Sequence, residues 1–249
     1  MLISLQPFTI IPNMNRLDRG LSHTERSGRR NDRLLRTFLD LVRIDSPTGS
    51  EEQMSSYLLK HFQERELFVE QDNKLNVFAR VPSIGESLLL AAHMDTVEPG
   101  RGISPRVSRG IVRSDGTTIL GADNKSTLAV ILETVDVLVE QQVAHRPLEL
   151  LFTVDEEGTT SGAAEFDYSK LHAKNGLIAD IAEPLGTLVL ASPAYIQFNA
   201  RFIGKSGHAA YPDKAKNVNR AIAEALRIPQ GYLDDLTTLN IGRIEAGSA

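Results

Sequence analysis

Residues 87–95 read SLLLAAHMD. Residues 87–92 (SLLLAA) form a run that is apolar after Ser87 and does not alternate, which predicts a strand over 87–92 buried on both faces. His93 and Asp95 stand immediately past it. The same arrangement recurs along the chain: Glu156 and Glu157 follow the apolar residues 148–154 (LELLFTV), and Asp180 follows residues 176–179 (GLIA). Asp123 precedes a helical pattern. Chemistry-bearing residues just past successive strands are what an open α/β sheet uses to build a site.

Upstream of this run, Leu34, Leu35, Phe38, Leu39, Leu41 and Val42 recur at helical spacing from about Asn31, with Asn31 or Asp32 able to cap the start. Residues 46–49 (SPTG) break that helix. Ser50 and Gln53 have capping-box spacing and open a second helix through Tyr57, Leu58, Leu59 and Phe62. Residues 75–81 read as a strand and 97–119 as loop with a short hairpin. Residues 124–141 form a strong helical pattern through Leu128, Ile131, Leu132, Val135 and Leu138. Residues 148–154, 176–179 and 187–191 read as further strands. This order predicts an α/β fold with a mixed, mainly parallel sheet flanked by helices on both faces.

The pattern changes near residue 192. Residues 195–203 alternate as a half-exposed strand would, 204–213 read as a loop, 218–226 as a helix and 238–244 as a strand. The expected organisation is an N-terminal extension (1–30), the first part of a catalytic domain (31–191) and a partial β-α-β lid or dimerisation domain (192–249). Residues 1–30 read as a poorly ordered extension, or as translated upstream sequence with the start at Met14. Asp18 and Glu25 are out of place in a targeting peptide, and a cytoplasmic location is expected.

Composition narrows the chemistry. The 249 residues are 41% hydrophobic and 24% charged, an ordinary globular balance long enough to bury a core. A net charge of −5 argues against a nucleic-acid partner. No run approaches the roughly 18 apolar residues of a membrane span. With no cysteine, a metal would need nitrogen and oxygen ligands.

Each acidic cluster also has an ordinary reading. His93 and Asp95 fit a surface turn, or a metal-binding imidazole held by a neighbouring acceptor. Asp123 fits a helix N-cap, or a carboxylate whose two oxygens bridge two cations about 3.5–4 Å apart. Glu156 and Glu157 fit an acidic loop start, or a ligand beside a general base, because adjacent carboxylates repel unless a cation offsets them. Asp155 and Lys125 read as solvated. Asp180 competes with Glu183 as a ligand, and spacing does not choose between them. As a set, one imidazole and several carboxylates at successive strand ends make the ligand complement of a hydrolytic two-metal centre.

The strings AAHMDTV, LGADNKSTLA, TVDEEG and IADIAEPLGT resemble the dinuclear-zinc exopeptidase family of peptidase T, glutamate carboxypeptidases and aminoacylases. Residues 204–226 and 237–247 look most like the peptidase T branch. The resemblance runs from about Asn31 to Ala249. It implies His93 and Asp180 on one zinc, Asp123 bridging both, Glu157 on the second, Glu156 as general base and Asp95 orienting His93. It further implies that His208 helps stabilise an oxyanion across a dimer, although a loop position is its ordinary reading. The implied substrate is a short peptide cleaved at a terminal bond. An N-acyl amino acid deacylase, or an inactive metal-binding or dimerising fragment, are the alternatives.

The sequence departs from the family's pattern in three respects. Asn124 and Lys216 stand where aspartate and glycine are common, and the family's last zinc-binding histidine has no counterpart here. The chain therefore resembles a truncated member: two zinc ions are expected per full-length subunit, with one site incomplete in this chain.

Overall fold

The computed structural model describes residues 23–184, 186–190, 196–208 and 210–245. The chain divides into two units, Met1–Ala182 and Glu183–Ala249. The first begins with α1 (His23–Arg43), α2 (Glu52–Gln63), β1 (Phe68–Gln71), β2 (Val77–Val81) and β3 (Leu88–His93). A hairpin, β4 (Arg106–Ser108) and β5 (Ile111–Arg113), leads to α3 (Ala122–Gln141). Then come β6 (Leu148–Thr153), α4 (Ser161–Glu165) and β7 (Gly176–Ile178).

Two expected helix starts are not made. α1 is already helical at His23, so positions 31 and 32 lie inside the helix and not at its start. At α2 the cap position is Glu51, with no side-chain cap bond. Ser50 Oγ accepts from Arg101, and the Glu51 carboxylate is committed elsewhere, as described below.

The five-stranded sheet has the order β1-β2-β6-β3-β7. β3 runs parallel to both β6 and β7, whereas β2 is antiparallel to β1 and to β6. Four of the five strands therefore point the same way. β1 has no expected counterpart. Leu75, expected to begin a strand, instead occupies a left-handed turn position ahead of Val77.

Both faces of the sheet are covered, unequally. On one, Leu41 of α1, Met54, Leu58 and Phe62 of α2, and Leu128, Leu132 and Val135 of α3 pack over Val77, Ala79, Ala92, Leu150 and Phe152. Phe62 and Phe152 stack with centroids 5.7 Å apart. On the other, Phe78, Ala91 and Leu151 meet Phe166 and Leu171. Leu150, Leu151 and Phe152 alternate between these clusters, as successive strand residues must. β6 is thus buried on both sides, as its unbroken apolar run implies.

The second unit contains a short 3₁₀ turn (Pro212–Lys214), α5 (Val218–Ala225), β8 (Gly231–Tyr232) and β9 (Thr238–Leu239). Asn217 caps α5 by accepting from the Asn219 amide. The expected strands largely fail here. Residues 187–190 and 196–203 form none, while 191 and 195 lie outside the described residues. The expected strand at 238–244 shortens to β9. Alternation marks which side of a strand would be buried, but a strand also needs a hydrogen-bonded neighbour. Among the described residues of this unit the pairing is β8 with β9 and the single bridge Lys205–Lys216.

Candidate metal centre

Because β6, β3 and β7 are adjacent and parallel, their C-terminal ends open on one edge of the sheet. His93 is the last residue of β3, Glu156 and Glu157 follow β6, and Asp180 follows β7. Asp123 joins them from the start of α3, where the helical dihedrals break at Asp123 and Asn124. Gly121, in left-handed conformation, precedes α3 without a side-chain cap bond, and the regular helical dihedrals begin only after Asn124. The Asp123 side chain projects into solvent beside the strand ends.

His93 is the hub. Its Nε2 lies 3.0 Å from Asp123 Oδ1, 3.7 Å from Asp180 Oδ2 and 4.0 Å from Glu156 Oε2. Two donor triplets, His93–Asp123–Glu157 and His93–Glu156–Asp180, each place their ligand atoms within 4.8 Å of one another. Glu183 belongs to neither. Nδ1 donates to the main-chain carbonyl of Asp95 at 2.9 Å, with the Asp95 carboxylate at 3.3 Å. That bond leaves Nε2 as the nitrogen facing the carboxylates, the arrangement by which an outer partner orients a metal-binding imidazole.

Electrostatics show what the cluster lacks. Burial opposes a charge on His93, yet hydrogen bonds to Asp95 and Asp123 outweigh it and hold the imidazole's pKa at about 9. Burial, with repulsion from neighbouring carboxylates, pushes Glu156, Glu157 and Asp180 above their usual range. Without an ion, a proton on His93 is the cation of the site. An imidazole and oxygen donors carrying excess negative charge suit a divalent ion such as zinc.

The turn after β6 is bound by side chains from three other elements. Asn76 Oδ1 accepts the Val154 amide at 3.1 Å, and Glu51 Oε1 the Asp155 amide at 3.1 Å. Asp95 Oδ1 accepts the Glu156 amide at 3.0 Å, and its Oδ2 the Glu157 amide at 3.1 Å. Asp95 is fully buried and also accepts from Thr48 Oγ1 at 2.8 Å. These bonds hold its carboxyl below the usual range despite burial. Asp95 therefore touches His93 and also anchors the Glu156–Glu157 turn.

Two residues expected to be solvated are not. Asp155 has φ +58 and accepts from the amides and hydroxyls of both Thr159 and Ser161, closing the turn. Lys125 has 0% exposure, and its Nζ donates to the Ile44 carbonyl at 2.7 Å. Burial lowers its pKa to about 8. Glu51 and Thr48 carried no sequence signal, since their partners are distant in the chain.

His208 lies in the second unit, exposed, its Nδ1 accepting from the Ala210 amide at 3.2 Å. His172 caps the buried Glu149, and His145 bonds the Arg146 carbonyl; neither belongs to the donor triplets.

An open α/β sheet with these donors past three parallel strand ends has the build of a metal-dependent hydrolase. More particularly, residues 89–193 match the model of Peptidase family M20/M25/M40, and residues 191–249 match the peptidase dimerisation domain. The chain belongs to this family. The YqjE protein of Bacillus subtilis (strain 168) is 35% identical over 87% of this chain and 62% of its own length. A tripeptidase from Staphylococcus aureus subsp. aureus Mu50 superposes with a TM-score of 0.73 at 35% identity, covering 88% of this chain and 62% of that one. Aminopeptidase PepT from Bacillus cereus ATCC 10987 gives 0.66 at 31% identity with the same coverage. Other relatives are named acetylornithine deacetylase and probable carboxypeptidase. The chain thus spans 62% of the length of these three relatives.

Proposed function

We propose that this chain forms the metal-binding part of a peptidase T-like exopeptidase that hydrolyses the terminal peptide bond of short peptides. The observation that carries this is the meeting of His93, Asp123, Glu156, Glu157 and Asp180 past three adjacent parallel strands. Similarity to a tripeptidase and to an aminopeptidase supports the substrate class.

In this reading His93, Asp123 and Asp180 would hold one zinc ion, and Asp123 and Glu157 would be the ligands this chain supplies to a second, incomplete site. Zinc in such a centre polarises a carbonyl and lowers the pKa of water to about 7. Glu156, beside His93 but half-exposed, takes the water's proton and passes it to the departing amine. Asp95 fixes both the imidazole and the turn bearing Glu156. The second unit, matching a dimerisation domain, pairs two subunits and contributes His208 as an oxyanion donor. A cytoplasmic location completes the reading; no helix among the described residues is long and apolar enough to cross a membrane.

The relatives named deacetylases favour one alternative, hydrolysis of an N-acyl amino acid by the same groups. A panel of free tripeptides, dipeptides and N-acetyl amino acids, assayed with zinc, separates the two. Turnover confined to the free peptides is expected. Turnover confined to N-acetyl amino acids would replace peptidase with deacylase, and none at all would mark a chain that binds metal without catalysis.

A further inference from the structure

We propose that Glu51 is a positioning residue for the catalytic turn, holding residues 155–157 so that Glu156 and Glu157 face His93. This rests on the assignment of Glu156 and Glu157 to the centre. Glu51 stands at the cap position of α2 yet makes no side-chain cap bond there. Its carboxylate, on a residue only 3% exposed, instead accepts the Asp155 amide from across the fold. Burying a carboxylate is unfavourable, and an amide at the edge of an exposed turn has water available as a partner. The bond's consequence is geometric.

Asp155 sits in the left-handed region, which a non-glycine residue adopts at a cost and keeps only when its surroundings hold it there. Glu51 grips the amide of Asp155, and Asp95 grips the next two amides. Residues 46–51 act as one brace. The Ser46 hydroxyl donates to the Met94 carbonyl, the Thr96 amide to the Ser46 carbonyl and the Thr48 amide to the Thr96 carbonyl. The Thr48 hydroxyl reaches Asp95. A Cβ on Gly158 would overlap Asp155 Oδ1 and come within 2.9 Å of the Thr48 methyl, so the turn is seated directly on this brace. The same segment therefore sets the His93–Asp95 corner and, through Glu51, the first peptide of the Glu156–Glu157 turn.

The test compares Glu51→Ala, Glu51→Asp and Glu51→Gln in the full chain. Gln keeps an oxygen acceptor at the same reach, and Asp withdraws it by one methylene. Amide hydrogen exchange over residues 155–157 is measured without metal, then zinc affinity by equilibrium dialysis, then kcat and KM on a tripeptide. Ala and Asp should speed exchange over the turn while β6 keeps its protection. They should also weaken zinc binding or kcat by about 10–100-fold with KM little changed, and Gln should restore both. Wild-type exchange in Glu51→Asp, or Gln as damaging as Ala, would overturn the proposal; the Asp variant decides if Ala does not fold. A Glu156→Gln variant that kept full turnover would remove the base assignment, and exchange would still report the brace.

Discussion

His93 Nε2 and Asp123 Oδ1 lie 3.0 Å apart although 30 residues separate them in sequence. The contact forms because β3 ends where α3 begins, and its electrostatics make a proton and a metal ion competitors for one place. Zinc must displace the proton that His93, with its pKa held at about 9 by Asp95 and Asp123, retains at neutral pH. Affinity should therefore climb about tenfold per pH unit until that pKa is passed. Dialysis at two pH values below it checks the slope; equal affinity at both would show that His93 does not exchange its proton for the ion.

Stability of the metal-free protein should fall as pH rises above the ordinary histidine value. A raised folded pKa gives stability that is full below 6.5 and lost as pH approaches about 9. Lys125 acts oppositely: its pKa, lowered by burial to about 8, makes stability rise from there towards 10.5. Between these two groups, net loss falls in the interval from about 6.5 to 8, on the order of 2 kcal/mol. The raised carboxyls act in the same direction as His93 from lower pH. Urea midpoints with a chelator present measure this. In Lys125→Met the decline should continue past that interval.

Glu156→Gln should keep bound zinc and lose turnover by on the order of 10²–10⁴, whereas Glu157→Gln should lose zinc affinity. Measuring both quantities for each variant settles which carboxylate is ligand and which is base. The reverse pattern would exchange their roles.

Gly158→Ala should damage the site without touching a ligand. Its Cβ would collide with Asp155 Oδ1 and crowd the Thr48 methyl. The expected result is about 1–3 kcal/mol of destabilisation with zinc binding weakened about 10–100-fold. Gly242→Ala, whose Cβ would meet nothing nearer than 3.8 Å, should change neither.

The first unit was legible where burial writes a long pattern. β3 and β6 show as unbroken apolar runs, and α3 shows as Leu128, Ile131, Leu132 and Val135 on one face. His93, Glu156, Glu157 and Asp180 were visible because strand ends place them, and Asp123 because it opens a strong helical pattern. What the sequence hid was contact at a distance. Lys125 looked like a surface residue because lysine is almost never fully buried. Glu51 looked like an acid at a helix start, and Asp155 like spare charge. β1 is too short to show a period. In the second unit, residues 196–203 have the alternation of a strand, but among the described residues none pairs with them as a strand. Periodicity records a face; it does not record a partner.

In the proposed function, His93 gathers these carboxylates into a metal-binding centre. Equilibrium dialysis with zinc on the unaltered chain and on His93→Ala tests it most directly. The unaltered chain should bind zinc, and the variant, stripped of the one imidazole shared by both triplets, should bind it at least about 100-fold more weakly. Equal binding by both proteins, or none by the unaltered chain, would contradict the account.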